Sequence, residues 1–151
     1  MDVYGKAVQL FGALKLPPVR LSLRESRTAK AFDVYDPLRR KWVALTPEEW
    51  VRQHFVNFMV NELNYSPFRM SNEVFLRLNN TSRRADTVVY DNNLKPRVVV
   101  EYKAADIDLT PEVLDQALRY NLVFRAPTVV ITNGMDVYTA VEGKLYHSLI
   151  L

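Results

Sequence analysis

The sequence has no cysteine, which excludes disulfide frameworks, thiolate metal sites and a cysteine nucleophile. A chain without thiols fits a cytoplasmic protein. Its two histidines, His54 and His147, are too few for an imidazole-based zinc site without heavy carboxylate help. His54 lies among apolar residues of a helical pattern and reads as structural. No apolar run approaches the ~20 residues that cross a bilayer. Asp2, Lys6, Lys15 and Pro17 interrupt the N-terminal apolar stretch, so it does not read as a secretory signal. Repeats, low-complexity segments and linkers are also missing.

What remains is an ordinary globular composition, 48% hydrophobic and 25% charged over 151 residues, long enough for one domain with a real core. The net charge of +3 is compatible with a polyanionic partner and does not by itself specify one.

Residues 1–18 read as a short helical or irregular lead-in ending at Pro17-Pro18. "VRLSLRE" alternates as a strand, and "KAFDVYD" and "KWVAL" form a hairpin across "PLRR". A helix then opens at Thr46, with Pro47 at its first position and Glu49 completing a Thr-x-x-Glu capping box. "EVFLRL", "ADTVVYD" and "RVVVEYK" come next as strands, separated by the turn-rich "NNTSRR" and "DNNLKP". Thr110-Pro111-Glu112 opens a second helix that runs to about Phe124. "PTVVITNG" is a buried strand, and "DVYTAVEGKLYHSLIL" closes the chain as a hairpin across Glu142-Gly143. The predicted fold is α/β, a mixed central sheet flanked by helices, with a core of helix, three strands, helix and strand, and extra β-hairpins at both ends. Residues 1–45 are expected to be a β extension and 46–151 the core of a single domain.

The informative stretch is "VVVEYKA", residues 98–104. Three consecutive valines have no polar face, so both sides of this strand are expected to be covered. Glu101 and Lys103 then share one side, because side chains alternate along a strand. Pairing through "DNNLKP" brings Asp86 beside Glu101. Two adjacent carboxylates repel, and a divalent cation relieves the repulsion. With oxygen ligands alone, Mg²⁺ or Mn²⁺ is the expected ion. Lys103 beside such an ion suits the positioning or deprotonation of a water, the apparatus of phosphodiester hydrolysis.

In "DQALRYN", Gln116 and Tyr120 stand four residues apart on one helix face, suited to orienting Lys103 or contacting phosphate. With Glu49 taken by the capping box, Glu48 is expected on the core side with Val51, Arg52 and Phe55. There it serves as a further carboxylate for the ion or as a partner of Arg52. Arg83 and Arg84 fit either a polar turn or phosphate contacts, and Arg39-Arg40-Lys41 is a second basic group of the same kind. Taken singly, Glu101 and Lys103 also fit a solvated strand end, Gln116 and Tyr120 an ordinary helix surface, and "TNG" a strand-to-turn signal.

Asp86, Glu101-Tyr102-Lys103 and Gln116-x-x-x-Tyr120 together resemble the PD-(D/E)XK nuclease superfamily. More narrowly, "EEWVRQ", "RRADTVVY", "VVVEYKA", "LDQALRYN" and "VVITNG" resemble the N-terminal nuclease domain of type I restriction enzyme R subunits over roughly residues 45–140. The resemblance implies a restriction-endonuclease-like fold and Mg²⁺-dependent DNA cleavage. Asp86 and Glu101 are then the metal ligands, Lys103 is catalytic, and Gln116 and Tyr120 lie near the active site and DNA. DNA is the implied partner, with other restriction or repair subunits; no membrane is involved, and the oligomeric state, a dimer among the options, is left open. Ala85 stands where the family carries a proline, which is no ligand. A Gly-rich phosphate loop and the length for a helicase motor are missing, so the chain is expected to be a stand-alone domain or a fragment. A non-catalytic nucleic-acid-binding or assembly module on the same fold is the alternative.

Overall fold

Asp2 starts the first helix, α1 (Val3–Phe11), by accepting a 2.7 Å hydrogen bond from the Gly5 N–H. The structure is a computed structural model and describes residues 1–27 and 31–151. Three strands come next: β1 (Leu23–Glu25), β2 (Phe32–Asp36) and β3 (Lys41–Ala44). They pair antiparallel as a sheet of their own, not as an extension of the central one. β1 keeps only the last part of the expected "VRLSLRE" strand. The expected start of β2 at Lys30 lies outside the described residues.

Thr46 caps α2 (Pro47–Asn61), its hydroxyl accepting the Glu49 N–H at 3.1 Å, with Pro47 at the first position. The central sheet is built from β4 (Met70–Leu78), β5 (Thr81–Tyr90), β6 (Pro96–Tyr102), β7 (Thr128–Thr132), β8 (Val137–Val141) and β9 (Lys144–Tyr146), side by side in chain order. Only β6 and β7 run parallel, because α3 (Pro111–Asn121) carries the chain back between them. The sheet is therefore mixed, as expected.

The valine run is covered on both faces. Val98 and Val100 pack with Val51, Phe55 and Met59 of α2, while Val99 joins Val88 and Phe124 on the opposite side. Burying each such side chain contributes ~2 kcal/mol. α2 is itself sandwiched. Trp50 turns away from the central sheet, stacks on Phe11 at 5.6 Å and donates its indole N–H to the Gly12 carbonyl at 2.9 Å. His54 is buried on that side; its Nδ1 donates to the Trp50 carbonyl and its Nε2 accepts from the Tyr4 hydroxyl. Desolvation lowers its pKa, which fits a neutral structural histidine.

One expected boundary is corrected. Residues 81–84 are not a turn but the first part of β5, and Arg83 and Arg84 pair with Leu76 and Phe75. Asn79 takes a left-handed conformation (φ 55°), and Asn79-Asn80 alone reverses the chain. The polar run "TSRR" reads as a turn because this part of the hairpin projects beyond the core. Among the described residues, no helix is long and apolar enough to cross a membrane.

At the end of β7, Asn133 folds the chain back by accepting the N–H groups of Met135 and Asp136. Gly134 then adopts φ +81° against the Leu14 side chain, and its carbonyl accepts the Lys15 N–H at 2.8 Å. Gly134→Ala is expected to destabilise the protein by about 1–2 kcal/mol, chiefly through the left-handed backbone. Urea unfolding checks this, and an unchanged midpoint would contradict it.

Candidate active site

The β5–β6 ladder runs Val89↔Val98, Val88↔Val99, Thr87↔Val100, and one further step sets Asp86 opposite Glu101. Asp86 Oδ2 accepts the Tyr102 N–H at 2.9 Å; among the described residues no hydrogen bond reaches Oδ1. Burial pushes the Asp86 carboxyl up to about 6. The Tyr102 N–H and Arg52 pull the other way, while the neighbouring Glu101 and Glu73 add to the rise.

Glu101 is held at both oxygens. Asn121 Nδ2 donates to Oε1 at 2.8 Å, and Lys103 Nζ lies 3.1 Å from Oε2. The Lys103 backbone N–H donates to the Thr132 carbonyl at 2.9 Å, so its strand end is anchored to β7. Asn121 was not among the expected site residues. It is 2% exposed and follows Leu114 and Ala117 on the buried stripe of α3. A polar residue on an apolar stripe is the signal that marks it.

The inward acid of α2 is Glu49, not Glu48. Glu48 is exposed at the rim of the cleft, while Glu49 is buried. Glu49 takes hydrogen bonds from Arg39 Nη2 at 2.6 Å and Gln53 Nε2 at 2.9 Å, and Arg52 Nε lies 3.1 Å away. The Thr46 half of the capping box forms, but these cations draw the Glu49 carboxylate inward. Arg52 accordingly pairs with Glu49 and Glu73, and Arg39 is sunk between Asp36 and Glu49. Arg39 is thus committed to carboxylates and is not a free phosphate contact.

Glu73 is a second residue that strand periodicity does not reveal. It takes φ +58° in the middle of β4, and the β4–β5 ladder skips Glu73 and Asp86 with the same register on either side. Such a backbone is costly for a residue with a side chain and persists only where its surroundings enforce it. Here Arg52 Nη2 at 2.9 Å and Arg84 Nε at 2.8 Å hold the carboxylate.

These groups surround a cleft of about 590 Å³. Asp86, Glu101, Lys103, Gln116 and Tyr120 line it together with Glu48 and Arg84. The Tyr120 hydroxyl accepts the Arg84 N–H at 3.1 Å. Arg83 stands off the lining, with its guanidinium 4.9 Å from the centre of the Tyr120 ring.

Among the described residues, no group of three or more His, Asp or Glu side chains is arranged to hold a metal ion. The local chemistry still suits Mg²⁺, an ion commonly bound through one or two carboxylates, with waters and substrate phosphates completing the shell. Asp86 supplies a desolvated carboxylate whose charge is poorly compensated, and Glu101 stands next to it.

A family model described as type I restriction enzyme R protein N terminus matches residues 47–147. The chain belongs to this family. A search of curated proteins finds no match. The span that matches the restriction enzyme R family starts at the first residue of α2 and runs just past β9. It contains the cleft acids and Lys103, and leaves α1 and the three-stranded sheet outside.

The folded-state carboxyl of Asp86 titrates near 6, against an unperturbed ~3.9. The folded protein therefore keeps this proton where the unfolded chain has lost it, and the associated stability fades as pH rises from about 4 through 6. In metal-free buffer, Asp86→Asn is expected to match the wild type at pH 4 and to exceed it by about 1–3 kcal/mol at pH 7.5. Urea unfolding across this range tests it; a difference independent of pH would contradict the assignment.

Proposed function

We propose that this restriction enzyme R family domain is a divalent-metal-dependent DNA endonuclease built on a restriction-endonuclease-like core. The observation that carries the reading is the convergence of Asp86, Glu101 and Lys103 on one cleft at the end of the β5–β6 pair. In this reading Asp86 and Glu101 hold Mg²⁺ or Mn²⁺, with Glu48 at the rim as an outer carboxylate. The bound ion supplies Lewis-acid stabilisation of the charge that grows on the phosphate. Lys103 Nζ, kept at the strand end by Glu101 Oε2, orients the attacking water and, in its neutral amine form, takes the proton that the water loses. Gln116 and Tyr120 bear on the phosphate from α3, and Arg83 neutralises the flanking backbone together with Arg84, whose half-exposed guanidinium shares its charge between Glu73 and the phosphate. Such contacts position DNA without reading its sequence. The protein works in the cytoplasm with other restriction or repair subunits.

One observation favours a second reading, a non-catalytic DNA-binding or assembly module. Both Glu101 oxygens are already held by Asn121 and Lys103, so an incoming ion has to displace or share them.

A nuclease assay on plasmid and linear DNA with Mg²⁺ or Mn²⁺ separates the two. Lys103→Ala is expected to lower cleavage about 100-fold or more. Calorimetry should show Mn²⁺ affinity kept in Lys103→Ala and lost in Asp86→Ala. Lys103→Arg keeps the charge but cannot act as a base, so residual cutting measures how much charge alone achieves. Undiminished cleavage by purified Lys103→Ala would refute the mechanism, and no metal-dependent cutting by the wild type would favour the module.

A further inference from the structure

We infer that the edge of the central sheet beside the cleft is a stacking platform for an unpaired stretch of DNA, so that the substrate carries a single-stranded segment next to the bond to be cut. The inference rests on the nuclease reading and specifies its substrate.

β4 is an edge strand of the six-stranded sheet. Edge strands are commonly protected by charge, short length or cover. β4 instead presents Phe75 with 69% of its surface exposed, and Leu78 half exposed near the turn. Phe75 pairs in register with Arg84, whose guanidinium carbon lies 5.9 Å from the centre of the Phe75 ring. Arg84 in turn lines the cleft and donates its backbone N–H to Tyr120, and Tyr120 carries Arg83 over its ring at 4.9 Å. Phe75, Arg84, Tyr120 and Arg83 thus form one continuous strip of aromatic rings and guanidinium groups leading into the cleft. Arg77, exposed on the same edge, adds a further positive charge.

Two features favour nucleic acid over a protein partner. The strip is rich in guanidinium, and the carboxylate beside it, Glu73, is already held by Arg52 and Arg84. Arg84 and Arg83 also lie over the rings of Phe75 and Tyr120, the arrangement that lets bases stack on side chains while arginines meet the phosphates. The interior of a duplex keeps its bases stacked and offers Phe75 no face, and a blunt end offers only that of its last pair. An unpaired segment does.

The test measures binding by the full chain in EDTA, where cleavage cannot occur. Fluorescence anisotropy compares a blunt duplex, the same duplex with a thymidine overhang of about 12 nucleotides, and the free thymidine strand. The overhang is expected to tighten binding about tenfold over the blunt duplex. Phe75→Ala and Phe75→Leu should erase that gain, while Phe75→Tyr, which keeps an aromatic face, should retain it. Because Phe75 is mostly exposed, these variants remove little core, and thermal melting verifies that each is folded. An overhang that adds no affinity, or a gain that survives in Phe75→Ala, would overturn the inference. So would failure to bind any DNA form, which would leave the strip to a protein partner. Failure of the nuclease reading looks different: the overhang effect and its Phe75 dependence persist in EDTA, but no divalent ion brings cleavage.

Discussion

Arg52 is the side chain on which the cleft depends. Only 6% exposed, it reaches from α2 to Glu49 on its own helix, to Glu73 on β4 and to the Asp86 carbonyl on β5. A guanidinium suits this place because its five donors form a rigid fork that stays charged when buried. Removing one partner from such a buried ionic cluster typically costs ~3–5 kcal/mol, since the remaining charges are left uncompensated. Asp86 sits at the edge of this compensation. Arg52 contacts its backbone and exerts a pull on its carboxylate, yet burial still holds the carboxyl near 6.

The three-stranded sheet joins this cluster through a buried chain of hydrogen bonds. Asn72 donates to Asp36 at 2.9 Å, Thr87 donates to Asn72 at 2.6 Å, and the Tyr102 hydroxyl donates to Thr87 at 2.9 Å. This links β2 through β4 and β5 to β6, one residue from Glu101. Burial opposes charge on Asp36, but the hydrogen bonds from Arg39 and Asn72 outweigh it and hold its carboxyl below the usual range. Asp36 and Arg39 lie outside the span that matches the family, yet they brace Glu49 and the inner side of the sheet. The N-terminal sheet is therefore part of the support of the cleft as well as an addition to the core.

Much of the cleft is written in local signals. Thr46-Pro47 and Thr110-Pro111 start both long helices because a threonine hydroxyl can take the free N–H groups of a first turn, whatever the rest of the chain does. The valine run reads as a strand covered on both faces because it has no polar side to turn to water. "DNNLKP" is short enough that β5 and β6 must pair antiparallel, which brings Asp86 opposite Glu101. Lys103 shares the Glu101 side through the two-residue period of a strand. These features need only spacing and residue type.

Other features depend on contacts between residues far apart in the chain. Whether Glu48 or Glu49 turns inward is decided by Arg39, ten residues before Glu49 in the turn between β2 and β3, and by Arg52. The left-handed Glu73 in mid-strand answers to arginines from α2 and β5, and no periodic pattern announces it. Arg83 and Arg84 look like turn residues because they are polar, but Asn79-Asn80 turns the chain first and leaves them paired with Leu76 and Phe75. Asn121 becomes the partner of Glu101 only once α3 has crossed behind the sheet. The sequence by itself determined the two capped helices, the buried strands and the pairing of the two acids, because capping, alternation and short turns act over a few residues. Tertiary structure alone decided which charges compensate one another, because that depends on which distant side chains share a buried space where an unpaired charge is too costly to leave.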